Sequence, residues 1–172
     1  MSNDFELKSG KLLSTRAFES DDLDNLVTFF EELRGDSMRF AIPQYYDRAR
    51  LERLTANLHR DLILLALDGV RIVGVAAIYG SSLPWLKGHG EFMTYIREGY
   101  QNQGLGTYLT RSILEKAKRK GYHKVTLEVV AENLSAIKAY KKAGFVVEGR
   151  LREDHFGDDE SYHDVLIMGI IL

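Results

Sequence analysis

A mixed α/β (α+β) fold, one sheet with helices packed on it, is predicted by two features of the chain. Strand-like apolar runs are grouped and do not alternate regularly with helical ones: the order reads strand, two helices, three strands, helix, strand, helix, two strands. Asp68-Gly69 also lies between two apolar runs, Ile63 to Leu67 and Arg71 to Tyr79. An Asp-Gly pair in that setting signals an antiparallel hairpin.

Leu12 to Phe18 reads as the first strand. Ser20 offers an N-cap, and Asp21, Asp22 and Asp24 put negative charge in a first helical turn. Leu23, Leu26, Val27, Phe30 and Leu33 recur at helical spacing, and Gly35 ends that run. Arg48 to His59 reads as a second helix with Leu51, Leu54 and Leu58 on one side. Gly80 to Gly90, with Pro84 and Trp85, is a loop, and Glu91 to Ile96 a strand. A turn over Gln101 to Gly106 opens a helix from Thr107 to Lys120. Its Leu109, Ile113 and Ala117 face one way, with Arg111, Glu115, Lys118 and Arg119 around the polar side. Gly121 stops it. Val125 to Val130 is a strand, and Ser135 to Ala143 a short helix closed by Gly144. Val146 to His155 and Ser161 to Leu172 form a closing hairpin with Gly157 in its turn.

A chain of 172 residues, 45% apolar and 28% charged, suits one domain spanning 1–172 with a buried core. The formal net charge is -2 with both signs interspersed, so nothing calls for a nucleic acid or an anionic membrane. The absence of cysteine excludes disulfides, zinc thiolates and a cysteine nucleophile, and fits a reducing cytoplasm. Met1 to Gly10 is polar and acidic, unlike a secretory signal, and no apolar run approaches the ~20 residues that span a bilayer. The expectation is a cytoplasmic protein with no nucleic-acid or membrane partner.

Gln101-Asn102-Gln103-Gly104-Leu105-Gly106 lies between a strand and an amphipathic helix. A helix start presents N–H groups without internal partners and carries the positive end of the macrodipole. Glycines there let the backbone approach a phosphate closely. Thr107-Tyr108 follows where a nucleoside-triphosphate loop needs Lys and then Ser or Thr. Leu109 stands where a dinucleotide loop needs Gly or Ala. Both of those phosphate readings fail, leaving a tight turn or a site for another pyrophosphate.

Downstream stand Leu127-Glu128-Val129, then Asn133-Leu134-Ser135-Ala136, Ala139-Tyr140 and Gly144-Phe145. With the turn, this set resembles the GNAT acetyltransferase superfamily from Glu91 to Phe145. That family has Arg or Gln, two residues, Gly, one residue, then Gly or Ala, followed by an Asn, a helix carrying a Tyr, and a closing Gly-Phe. Gln101 stands here where Arg is commoner, and Asn102 where Gly is common. The resemblance implies a mostly antiparallel sheet of about seven strands, helices on both faces and a V-shaped split in the middle. It implies acetyl-CoA as co-substrate, without a metal. Tyr95, Ile96 and Arg97 would offer backbone groups to the pantetheine arm. Gln101, Asn102, Gln103, Gly104, Leu105, Gly106 and Thr107 would hold the pyrophosphate. Asn133 would bond the pantetheine arm, and Tyr140 would face the sulfur.

An alkyl amine is mostly protonated at pH 7, so its attack on a thioester requires a proton acceptor. The departing thiolate requires a donor. Tyr140 is the candidate acid, against a packing role beside Ile137. Glu91 is the leading base, against a solvent-facing strand carboxylate. Glu128 is second, and His89 could also serve. Lys138, Lys141 and Lys142 form a basic helix side that is either solvated or attractive to CoA phosphates.

Gly149-Arg150-Leu151-Arg152, with Tyr162 and Asp164, is similar to a branch containing ribosomal-protein N-terminal and spermidine acetyltransferases. The partner is expected to be an amine-bearing small molecule or protein. Asp154, Asp158, Asp159 and Glu160 either attract a cationic amine or form a solvated turn. Trp85 and Gln44-Tyr45-Tyr46 either line an amine cleft or anchor loops. The apolar end Val165 to Leu172 suggests a homodimer or a central strand. The alternative to an enzyme is a non-catalytic acyl-CoA sensor with the same fold.

Overall fold

The computed structural model describes residues 3–33, 47–157 and 159–172. Gly35, the Gln44-Tyr45-Tyr46 segment and Asp158 lie outside the described residues. Eight strands form one sheet in the order β1-β2-β3-β4-β5-β6-β8-β7. They are β1 (Asn3–Glu6), β2 (Leu12–Ala17), β3 (Leu62–Asp68), β4 (Arg71–Gly80), β5 (His89–Ile96), β6 (Lys124–Val130), β7 (Val146–Phe156) and β8 (Tyr162–Ile171). The helices are α1 (Leu23–Glu31), α2 (Arg48–Thr55), α3 (Leu105–Lys120) and α4 (Leu134–Ala143). No described helix is long and apolar enough to cross a membrane.

The strand beyond the expected seven is β1, whose sequence Asn-Asp-Phe-Glu has a single apolar residue and no strand signature. Tertiary contacts make it a strand: it pairs with β2 from Asn3↔Thr15 to Glu6↔Leu12, and Phe5 stacks on Tyr108 of α3 with centroids 4.3 Å apart. The start of α1 also departs from expectation. Ser20 does not cap it; Ser20 to Asp22 form a 3-10 turn, and α1 proper begins at Leu23. Asp22 is drawn inward because it accepts the Glu19 N–H at 2.9 Å and two bonds of 2.6 Å from the Arg16 guanidinium. Phe29, outside the expected apolar stripe, is fully buried beside Leu26 and Val27. The second helix ends at Thr55, four residues before His59.

Alternation along the strands divides the core in two. On one face Leu105, Leu109 and Ile113 of α3 and Ile137 of α4 pack against Leu64, Val73, Phe92, Val125 and Leu127. On the other, Leu26, Phe29 and Leu51 of α1 and α2 pack against Ile63, Leu65, Ile72 and Val75. Gly74 lets α3 lie close: a Cβ there would stand 3.2 Å from Leu109 Cδ1.

All neighbours in the sheet are antiparallel except β5 and β6. That parallel ladder is short: His89↔Lys124, Gly90↔Val125 and Glu91↔Thr126. Beyond it, β5 stays in register with β4 as far as Ile96, while β6 stays with β8 as far as Val130. The strands therefore diverge into a V that opens toward both C-terminal ends. Its closed end is tightly packed. Tyr122 lies against Gly90, where a Cβ would come within 2.6 Å of both Tyr122 and Ile78, and the His123 N–H donates to Gly88 C=O at 2.7 Å.

The apolar end at Val165 to Leu172 is a strand interior to the sheet. β8 lies between β6 and β7, with Val165 and Met168 buried and Ile171 at its end 69% exposed.

Leu109 is fully buried under Gly74 at the centre of one core face. Leu109→Ala is expected to cost about 2–5 kcal/mol, read as a lower urea midpoint with an unchanged slope.

Candidate active site

The split leads into a cleft of about 590 Å³, bounded by the free ends of β5 and β6 and by the starts of the two helices that follow them. Each wall is built by a strand-to-helix connection.

On the β5 side, the chain leaves Ile96 and turns back through Gly99 to Gly104. Gly104 has φ +91, the left-handed conformation that a side chain disfavours, and α3 starts directly after it. The first helical bond joins the Tyr108 N–H to the Gly104 carbonyl at 3.1 Å. The N–H groups of Leu105, Gly106 and Thr107 precede that ladder and sit at the positive end of α3. The side chains of the turn hold the turn itself. Gln101 Nε2 donates to Ile96 C=O at 3.0 Å, and Gln103 Nε2 to Gly99 C=O at 2.8 Å. Tyr100 donates to Asp68 at 2.5 Å, and Asp68 is also paired with Lys11. Asp68, read from sequence only as a hairpin residue, is thus the outside anchor of the turn. Its carboxyl is held below the ordinary range by Lys11 first and Tyr100 second. Gly106 packs so close to β5 that a Cβ would stand 3.2 Å from Ile96 Cδ1.

On the β6 side, Asn133 caps α4: its Oδ1 accepts the Ala136 N–H at 3.2 Å and the Ser135 hydroxyl at 3.1 Å. About two turns later Tyr140 projects into the split. It is only 8% exposed, yet it lines the cleft. Phe92 and Phe145 meet its ring, with centroids 5.8 and 6.1 Å away. Burial, then the nearby Tyr95 phenol, pushes the Tyr140 hydroxyl pKa well above its ordinary value of 10.0. The group is a proton donor at any neutral pH.

Of the residues singled out in the sequence, Glu91, Tyr95, Ile96, Gln101, Asn102, Gly104, Gly106, Thr107, Asn133 and Tyr140 line this one cleft. Three do not. Gln103 turns to the Gly99 carbonyl, and Leu105 is fully buried in the core. Arg97 is 8% exposed, and its N–H donates to Val73 C=O at 2.9 Å. Its guanidinium reaches Glu32 at 2.8 Å, so it ties β5 to the end of α1 and faces away from the cleft. His89 sits at the closed end of the V near His123, and Trp85 is 76% exposed; neither lines the cleft.

Glu128, the second candidate base, lines the cleft with Glu91. Both stand on the α1–α2 face, because Phe92, Leu127 and Val129 point into the opposite core. Partial burial first, then the charges of Glu91 and Asp154, raise the Glu128 pKa above its ordinary 4.5. Two residues near the cleft were not legible in the sequence: Lys8, which donates to Asn102 C=O at 3.3 Å, and Met93 on β5. Lys8 lies in the turn that follows the unforeseen strand β1, and no local signal marks it.

The acetyltransferase (GNAT) family model matches residues 27–145. The chain belongs to the GNAT family. A methionine sulfoximine/methionine sulfone acetyltransferase of Pseudomonas aeruginosa is 29% identical over 91 residues, covering 52% of this chain and 53% of that protein. The chain thus spans about half the length of this curated relative. A GNAT-family acetyltransferase structure from Streptococcus pneumoniae superposes with a TM-score of 0.80 and 25% identity, covering 93% of this chain and 99% of the other. A Salmonella typhimurium structure determined with its cofactor acetyl-CoA shares the fold, with TM-score 0.79, 19% identity and coverages of 93% and 94%.

The site carries two expectations. An alanine at position 104 costs about 1–2 kcal/mol in the left-handed region, and relief of that strain displaces the three N–H groups. Gly104→Ala should therefore bind acetyl-CoA about tenfold more weakly by calorimetry, with an unchanged far-UV spectrum. Because the folded pKa of Glu128 lies above its unfolded value, the folded state holds that proton more tightly. Stability from this group is present at low pH and lost as pH rises from about 4.5 through the raised value. Glu128→Gln should raise Tm at pH 7 by about a degree or two, and the gain should vanish below pH 4.

Proposed function

We propose that this protein transfers an acetyl group from acetyl-CoA to a primary amine by direct attack in a ternary complex. The observation that carries the reading is the convergence, at one split in the sheet, of a glycine-opened helix start and a buried tyrosine hydroxyl.

The N–H groups of Leu105, Gly106 and Thr107 fit a pyrophosphate, since three main-chain donors and a helix dipole converge where Gly104 and Gly106 leave no side chain in the way. Asn102 and Lys8 border the same wall. The pantetheine arm would follow β5 past Ile96 and Tyr95 into the V, with Asn133 on the opposite wall. The thioester would then lie beside Tyr140. Both reactants are held in one cleft, which supplies orientation that solution lacks.

The amine approaches from the α1–α2 face, where Glu91 and Glu128 stand. Glu91 takes the proton of the reacting ammonium, directly or through a water, so that the free amine can attack the carbonyl carbon. The tetrahedral species collapses by breaking the carbon–sulfur bond. Tyr140 donates its phenolic proton to the leaving sulfur, and its raised pKa ensures that the proton is still present when needed. Glutamate is therefore the base and tyrosine the acid, with burial keeping the tyrosine protonated until the sulfur leaves.

Calorimetric titration with acetyl-CoA, using ATP and NAD as controls, followed by thiol release with an amine panel, tests this reading. Selective acetyl-CoA binding with amine-dependent thiol release supports it. Selective binding without release from any amine supports an acyl-CoA sensor. Tyr140→Phe is expected to lower kcat by about 10²-fold while leaving the acetyl-CoA dissociation constant within a factor of two or so.

A further inference from the structure

Several carboxylates away from the cleft are paired. Asp22 meets Arg16, Glu32 meets Arg71 and Arg97, Glu148 meets Lys124, and Asp164 meets Arg150. Glu91 and Glu128 differ. They project from the same face of adjacent strands, both line the cleft, and neither has an ion pair among the described residues. Like charges facing one cavity repel, and no ion pair among the described residues offsets that repulsion. A bound cation would relieve it.

A third carboxylate is brought toward them by an irregularity in the closing hairpin. Between the pairs Leu151↔Val165 and His155↔His163, four residue steps on β7 span two on β8. Asp164 gathers this bulge: it accepts the Glu153 N–H at 2.8 Å and pairs with Arg150. Glu153 takes φ 53 to make the bend. Bulges re-aim side chains next to functional sites. Asp154 stands in this bulge, exposed, and its charge acts on Glu128 from outside the cleft lining.

The lysines that line the cleft are placed elsewhere. Lys8 lies beside the phosphate turn, and Lys138 and Lys142 are on α4, across the sheet from Glu91 and Glu128. A separate observation marks the cavity as a ligand site: Tyr140 is 92% buried, lines it, and has no hydrogen-bond partner for its hydroxyl among the described residues.

We propose that the amine is a small aliphatic diamine or polyamine, with Glu91 serving the reacting nitrogen while Glu128 and Asp154 hold a second ammonium. The proposal rests on the acetyltransferase reading and adds the charge of the substrate to it. One ammonium neutralises one of the two cleft carboxylates, and a second charge a few methylenes away neutralises the other. A free amino acid would instead bring its carboxylate against the pair.

The test is initial rates of thiol release with diaminobutane, butylamine, a free amino acid and a lysine-rich peptide, each with saturating acetyl-CoA. The expected result is a kcat/KM for diaminobutane about tenfold or more above that for butylamine, an advantage that shrinks as salt screens it. The ratio of the two should fall about tenfold in Glu128→Gln and in Asp154→Asn, both checked for native circular dichroism, and stay unchanged in Asp21→Asn. Equal rates for diamine and monoamine, preference for the amino acid or the peptide, or an unchanged ratio in both Glu128→Gln and Asp154→Asn would overturn the proposal. Failure of acetyl-CoA to bind at all would instead overturn the acetyltransferase reading beneath it.

Discussion

Everything at this site depends on a parallel ladder that stops after three pairs. β5 and β6 are joined only from His89 to Glu91, and each then follows its other neighbour. A longer ladder would close the sheet and erase the cleft. A shorter one would separate the two halves of the molecule. Packing enforces the length at both ends. Tyr122 on Gly90 and the Gly88 carbonyl clamp the closed end, while the aromatic group Phe92, Tyr140 and Phe145 occupies the space where the strands part.

Because the two diverging strands are parallel, both deliver their following helices to the same rim. The starts of α3 and α4 therefore flank one opening, and their dipoles and N–H groups add. The rest of the turn is stiffened by its own side chains and by Asp68 from a hairpin 32 residues earlier in the chain. Such bracing matters for a site that works by main-chain donors, since backbone groups can be aimed only by fixing the backbone itself.

The sheet also separates charge. Lysines border the wall beside α3 and α4, and carboxylates stand on the α1–α2 face. Under the proposed reading, an anionic CoA thioester and a cationic amine would enter from opposite sides and meet in the V without crossing a field of their own sign. The same arrangement raises the Glu128 pKa above its ordinary value, through partial burial first and then the charges of Glu91 and Asp154.

The sequence by itself determined the helices and most strands, because apolar spacing, Asp68-Gly69 and the glycines at 121 and 144 are local signals that report local structure. It also determined the family, since the motif from Gln101 to Gly106 and the Asn133, Tyr140 and Phe145 set are side chains and glycines at fixed spacing. It missed β1, whose single Phe5 is held by Tyr108, and it misplaced Arg97, whose N–H is taken by Val73. Only the tertiary structure decided which residues share the cleft. Glu91 and Glu128 are 37 positions apart in the chain yet stand together because Glu91 pairs with Thr126 across the ladder, two residues before Glu128. Register between distant strands sets that neighbourhood, and no spacing within either strand encodes it.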